Sequence, residues 1–265
     1  MNTQLLLYRR PVALNPERHA GARLHLPANR FAFANQCNSF LLAATEVWDA
    51  SRDYPVLFIG RSGADFTLAA LLGLKDQQNL FVNPDGTWRP STYIPAFVRR
   101  YPFVLAEVDA GSGPAPDSFT VCIDEDYAGL TRNIVEGTKD VTEPLFTQDG
   151  AQSSYLAQIV EFLRQYHDEM RRTRLLATRI AHMGLLAHRV VEIVHSGNKT
   201  LVDGFWAVDE AKLASLSGQG IRELMKTGAM SLIYAHLHSL RRVSALAALW
   251  DEAAQLIPAA PRPVN

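Results

Sequence analysis

A change in hydrophobic periodicity near residue 150 constrains the fold of this chain more than any other feature. Before it, short apolar runs alternate with turns that contain Gly and Pro, a pattern typical of β-strands. After it, apolar residues recur at the spacing of an amphipathic helix, from Leu156 to Ile180. Strands therefore gather in the first half and helices in the second. This predicts an α+β fold, with a mixed, largely antiparallel sheet in the first half and packed helices from the second half.

The strongest strand patterns of the first half fall in four segments, and we predict that these segments share one sheet. They are residues 56–59, 66–72, 103–108 and 119–123. Residues 40–52 differ, because their apolar positions follow a helical spacing that predicts a helix. In the second half the pattern predicts two strands around residues 196–199, a helix capped by Asp209, and an apolar helix over residues 221–249 with Gly228 as its weak point.

Charge and targeting signals restrict the functional class. The chain carries 26 Lys and Arg residues against 27 Asp and Glu residues, which argues against a nucleic-acid-binding domain. At the N-terminus a three-leucine run precedes Arg9 and Arg10, whereas a secretory signal places its charges before about 7–15 apolar residues. No stretch reaches the roughly 18 apolar residues of a membrane span. These patterns predict a soluble, cytoplasmic protein with no membrane span.

Motifs that carry chemistry are weak in this chain. Cys37 and Cys122 are isolated and form neither a disulfide framework nor a zinc pattern, and the histidine spacings match no common metal site. Local motifs therefore predict no catalytic residue, no metal and no cofactor. The acidic run that begins at Asp124 favours a turn cap over a cation or acid–base site. An enzyme is the alternative, with Asp124, His195 and His236 brought together by folding for a peptide-modifying or metal-dependent reaction.

The segment at residues 88–103 is the most unusual stretch of the sequence. It holds five aromatic residues, three prolines and the tandem pair Arg99 and Arg100 in sixteen positions. Aromatic residues beside arginine are typical of protein-binding hot spots, and also of a tightly packed core crossing. We predict a partner-binding site here, formed by Trp88, Tyr93, Phe97, Arg99, Arg100 and Tyr101.

The two adjacent arginines are expected to have different environments. An unpaired buried charge is strongly destabilising, and adjacent residues on a helical turn point about 100° apart. We therefore predict that one arginine pairs inside the protein with an acidic residue such as Asp124. The other is expected to face solvent beside Tyr93 or Tyr101 and to anchor a peptide.

Ordered stretches along the whole chain resemble one protein family. They are His19, residues 54–58, 71–74, 79–82, 86–88, 93–103, 144–146, 149–150, 204–205, 208–210 and 228–233, then Ala235, His236 and residues 239–240. Together they resemble the SapC family of bacterial proteins, named after a gene linked to surface layers, and residues 93–103 are the most specific stretch. The resemblance covers about residues 10–245 and implies one family domain at residues 10–250. The Pro-rich residues 251–265 are predicted to be a frayed tail.

The resemblance implies an accessory role, since the family offers no established catalytic residues to carry over. We expect a protein that binds a protein or peptide partner, linked to outer-membrane or surface-layer proteins, without catalysis of its own. Two alternatives stay open. One is the enzyme described above, and the other is a structural component of the cell surface. The sequence predicts neither the identity of the partner nor the oligomeric state.

Overall fold

A computed structural model of the chain describes residues 7–61, 66–107, 119–132, 142–195 and 198–255. In chain order the strands are β1 (Pro11–Ala13), β2 (Arg23–His25), β3 (Ser39–Leu42), β4 (Val56–Gly60), β5 (Phe66–Leu71), β6 (Phe103–Glu107), β7 (Phe119–Asp124), β8 (Leu130–Thr131), β9 (Thr142–Pro144), β10 (Leu186–His195) and β11 (Asn198–Val208). The α-helices are α1 (Val47–Ala50), α2 (Ala96–Arg99), α3 (Ser154–His182), α4 (Glu210–Ala214), α5 (Gly218–Thr227), α6 (Ala229–Ser239) and α7 (Arg242–Gln255). The sheets are antiparallel and the helices lie mostly in the second half, so the predicted α+β class is confirmed.

The four strongest strand segments of the first half lie in two sheets, so the prediction of one shared sheet is wrong. β4 and β5 pair with each other in a five-stranded sheet of order β10-β11-β4-β5-β3. β6 and β7 pair with each other in a three-stranded sheet, in which β1 takes the other edge of β7. A further sheet has the order β8-β2-β9. β11 joins the edge of β4 and β1 joins the edge of β7, each from a distant part of the chain, and local β patterns carry no information about such pairing.

The long helix α3 joins two parts of the hydrophobic core. Ser153 caps it by accepting a hydrogen bond from Leu156 N, which satisfies one of the free N–H groups of the first turn. Leu156 and Leu163 pack in a smaller cluster beside β6 and β7. Buried residues from Tyr166 to Ile180 pack in the larger cluster around the five-stranded sheet. The apolar spacing in the sequence predicted this helix correctly.

The second half contains the predicted elements with one division. β10 and β11 form the predicted hairpin, and Asp209 caps α4 by accepting hydrogen bonds from Ala211 N and Lys212 N. The run predicted as one helix over residues 221–249 falls instead into α5, α6 and α7. α5 ends at Thr227 and is capped by Gly228, whose φ of +80° lies in the left-handed region that glycine adopts without strain.

Two element boundaries differ from the sequence prediction. Residues 40–52, predicted as helix, contain most of β3, a short 3-10 helix (Ala44–Glu46) and then α1. Pairing of β3 with the edge of β5 outweighs the helical spacing of this stretch. At the other end, α7 extends to Gln255, into the predicted tail, and residues 256–265 lie outside the described part of the chain.

Candidate functional site

The six residues predicted to bind a partner divide into a buried group and a surface group. The buried residues are Trp88, Phe97 and Arg100, and those that reach the surface are Tyr93, Arg99 and Tyr101. Helix α2 separates Phe97, Arg99 and Arg100, because consecutive side chains on its single turn point about 100° apart. The segment is therefore held in the core by one set of side chains and can be contacted from solvent through the other.

Arg99 is exposed and its guanidinium is held in place by the chain. Its side chain is 45% exposed. Nε donates a hydrogen bond to Ile94 O at 3.0 Å, and Nη2 donates to Tyr93 Oη at 3.2 Å. The guanidinium carbon also lies 5.8 Å from the centroid of the Tyr93 ring and 5.5 Å from that of Phe162, within the range of cation–π attraction. Arg99 is thus an ordered surface cation, with its rotamer already selected.

The buried carboxylate of Glu46 supports this arrangement from inside the protein. It accepts hydrogen bonds from Tyr93 Oη at 2.8 Å, from Ala96 N at 2.6 Å and from Ala43 N at 3.0 Å. Its Oε1 atom lies 3.9 Å from Arg99 Nη2. Burial, together with the charge of Glu46, raises the pKa of Tyr93 well above its ordinary value. The Tyr93 hydroxyl therefore stays protonated and keeps donating to the carboxylate.

Arg100 points inward, and the groups around it are aromatic. Its guanidinium carbon lies 4.1 Å from the centroid of the Phe97 ring and 5.3 Å from that of Tyr166. Nε and Nη2 have no hydrogen-bond partner in the described part of the chain. The ion pair predicted with Asp124 is likewise not formed among those residues. The faces of the two rings replace the carboxylate that the sequence argument expected.

Asp124 holds the N-terminal part of the chain in place. It is fully buried at the end of β7. Its carboxylate accepts hydrogen bonds from Arg9 N at 3.0 Å, Arg10 N at 2.9 Å and Tyr101 Oη at 3.1 Å. It also accepts from Asp126 N at 3.2 Å. The lone pairs of this carboxylate are therefore occupied by the chain itself, in agreement with the favoured turn-cap interpretation.

The rest of the acidic run is paired with arginines. Glu125 accepts two hydrogen bonds from Arg18, from Nε at 2.6 Å and from Nη2 at 2.7 Å. These bonds lower the pKa of Glu125 to about 2. Asp126 accepts a hydrogen bond from Arg10 Nε at 2.9 Å. The run links the loop after β7 to the N-terminal residues, which is a structural role.

His236 is a buried link between two strands of the five-stranded sheet. β4 and β11 pair directly at Phe58 and Trp206, and two residues further along the imidazole stands between them. Val208 N donates to Nε2 at 3.1 Å, so the ring proton is on Nδ1, which donates to Val56 O at 2.6 Å. Burial lowers the pKa of His236 to about 4, so the ring is neutral near pH 7. Both ring nitrogens are occupied.

The three residues of the enzyme alternative are not brought to one site in the described structure. Asp124 ends β7 in the three-stranded sheet, whereas His236 lies on α6 against the five-stranded sheet. His195 ends β10, and its side chain lies outside what the structure describes. Within the described residues, no group of three His, Cys, Asp or Glu side chains is placed to hold a metal ion.

Two residues that shape the site were missed by the sequence analysis. Glu46 follows a largely apolar stretch, and an acid in that position was the available signal for a buried carboxylate. Phe162 is one of many apolar residues on α3, and nothing in its spacing distinguishes a ring that contacts Arg99 from a core residue.

Of the helices in the described ranges, none is both long and apolar enough to cross a membrane.

The architecture and the site define an α+β protein with an ordered surface arginine and no assembled catalytic group among the described residues. The family model for SapC matches residues 14–246, nearly the whole chain. The chain therefore belongs to the SapC family, and the resemblance found in the sequence is confirmed. No curated protein and no solved structure matches it. The family match supplies no partner and no reaction, so the function is argued from the site.

Proposed function

We propose that this SapC-family protein binds a protein or peptide partner without catalysing a reaction, and that Arg99 anchors the contact. One observation carries the proposal. The Arg99 guanidinium is fixed by Ile94 O and Tyr93 Oη and is still 45% exposed. An arginine that is ordered before binding loses little side-chain entropy on binding, which favours a hot-spot role. The group that a guanidinium fork fits best is a carboxylate of the partner.

The neighbours of Arg99 support a peptide ligand. Tyr93 and Phe162 are partly exposed rings beside the guanidinium, and aromatic residues with arginine are enriched at protein interfaces. We propose that Tyr93, Arg99 and Tyr101 make the contacts, while Trp88 and Phe97 hold the segment from the core. The name of the family leads us to propose further that the partner is an outer-membrane or surface-layer protein. We propose that the two proteins bind each other in the cytoplasm.

Replacing Arg99 by Ala should remove partner binding while leaving the fold intact. Loss of a hot-spot arginine weakens binding by about 2 kcal/mol or more, which is roughly thirtyfold in Kd. Stability should change by less than about 1 kcal/mol, because the side chain is half-exposed. The measurement is quantitative capture from an extract of the native host, followed by the Kd of each captured protein for both variants.

Arg179→Ala is the matched control, because Arg179 is also a half-exposed, ion-paired arginine, bound to Glu223. Proteins captured by the wild type and by Arg179→Ala but lost with Arg99→Ala are the partners that the proposal expects. Arg99→Lys should behave like Arg99→Ala, since an ammonium does not reproduce the fork. Equal capture by all the variants would show that the segment is only structural. The proposed cytoplasmic location is tested by fractionating host cells and measuring in which fraction the protein and a captured partner are found.

A further inference from the structure

A second candidate site is a cleft between the β10–β11 hairpin and helices α6 and α7. Its volume is about 330 Å³, within the range of small-molecule sites. Leu57 and Phe205 line it from the five-stranded sheet, and Leu237, Leu240 and Val243 line it from the helices. Of its thirteen lining residues, eleven are apolar and two are charged. No residue of the Arg99 site takes part, so this cleft is independent of the proposed partner contact.

A cation lies on the face of the hairpin that lines this apolar cleft. Arg189, Val190 and Val191 are consecutive, and all three line the cleft. In a regular strand, neighbouring side chains point to opposite faces. The register of the ladder shifts between Arg189 and Val191, so that Val190 alone faces two residues of β11. Such bulges re-aim side chains and are common beside functional sites. Here the extra residue belongs to β11, at Asp203 and Gly204, and the bulge brings Val202 and Phe205 to the face that Arg189 and Val191 share by ordinary alternation.

The two charged residues that line the cleft, Arg189 and Glu210, form no ion pair with each other. Among the described residues, no carboxylate lies within ion-pair distance of the exposed Arg189. Glu210, the other charged residue of the cleft, follows the end of β11 and is five residues along the chain from Phe205, which pairs with Arg189. Both side chains are exposed. Arg189 is therefore free to receive an anionic group from a ligand whose remaining part is apolar.

We infer that this cleft binds a free aliphatic monocarboxylate, a fatty acid, with the carboxylate on Arg189 and the chain between the hairpin and the helices. A volume of 330 Å³, at about 30 Å³ for each group of the size of water, holds a chain of about ten carbons. Transfer of each methylene group from water to the cleft favours binding. The guanidinium supplies charge-assisted hydrogen bonds to the carboxylate and sets the direction of the chain.

The test is isothermal titration calorimetry of the full chain with three probes of equal chain length: decanoate, 1-decanol and decylamine. Decanoate should bind at least tenfold more tightly than the other two. Arg189→Gln should weaken decanoate binding at least tenfold, since a charged hydrogen-bonding partner is lost. Val191→Glu, on the same face as Arg189 and partly exposed, should do the same by placing a carboxylate beside Arg189. Arg189 is exposed, so Arg189→Gln is expected to fold, and it carries the test if Val191→Glu does not fold.

Leu201→Glu is the matched control. Leu201 is exposed on the same hairpin, but it pairs with Glu192 and so belongs to the other face from Val191 and Val202. Decanoate should bind this variant as it binds the wild type. Tighter binding of decylamine, weakened by Glu210→Gln but not by Arg189→Gln, would overturn the proposal in favour of a cation site. Absence of decanoate binding, equal weakening by Leu201→Glu, or a dimer dissociated by Val191→Glu would also overturn it.

Discussion

Replacing His236 by Gln should remove most of the loss of stability that the wild-type protein shows as the pH falls from 6.5 to about 4. Burial lowers the pKa of His236 from 6.5 to about 4 in the folded protein. Below pH 6.5 the unfolded chain binds a proton at this residue, whereas the folded chain binds it only near pH 4. The stability is therefore fully present above pH 6.5 and decreases through this window, by about 3 kcal/mol.

The measurement is urea unfolding at a series of pH values across this window. Gln keeps one donor and one acceptor for Val56 O and Val208 N, but it does not titrate. His238→Gln is the control, because His238 is an exposed histidine on the same helix, and this variant should keep the wild-type slope. The same dependence of unfolding free energy on pH in all three proteins would contradict the assigned role of His236.

Asp124→Ala should destabilise the protein by about 3 kcal/mol or more, because its buried carboxylate accepts several hydrogen bonds and a bond to a charged group contributes about 1.5–3 kcal/mol. The substitution leaves Arg9 N, Arg10 N and Tyr101 Oη, three partly buried donors, without their acceptor. Each partly buried donor that stays unsatisfied adds a desolvation penalty. β1 is then also expected to detach from β7, because Asp124 holds the residues that lead into β1.

Asp126→Ala is the matched control two residues away. Its carboxylate is 42% exposed and bonds only to Arg10 among the described side chains, so its loss should change stability by less than about 1 kcal/mol. Chemical unfolding of the three proteins at neutral pH gives the comparison. If Asp124→Ala and Asp126→Ala shift the midpoint equally, the carboxylate of Asp124 is not the structural anchor that its contacts indicate.

The candidate site could be predicted in part because its segment is local. Residues 88–103 stand out by composition alone, and one turn of helix is enough to send Arg99 outward and Arg100 inward. The support of Arg99 could not be predicted, because Glu46 bonds to Ala96 across a separation of 50 residues. The partner of Arg100 was mispredicted for a related reason. A carboxylate was expected beside this buried cation, whereas its guanidinium lies against two aromatic rings.

The α+β class, the long helix α3, the hairpin of β10 and β11 and the family could be predicted from the residues alone, since each depends on periodicity, turn residues or ordered local stretches. The sharing of strands between sheets, and the bridge that His236 makes between β4 and β11, are seen only in the folded protein. His236 bonds there to Val56 across 180 residues of chain. Likewise the cleft at Arg189 exists because a bulged hairpin and two later helices meet. Such contacts depend on how distant surfaces pack, and no local pattern of residues encodes which surfaces will meet.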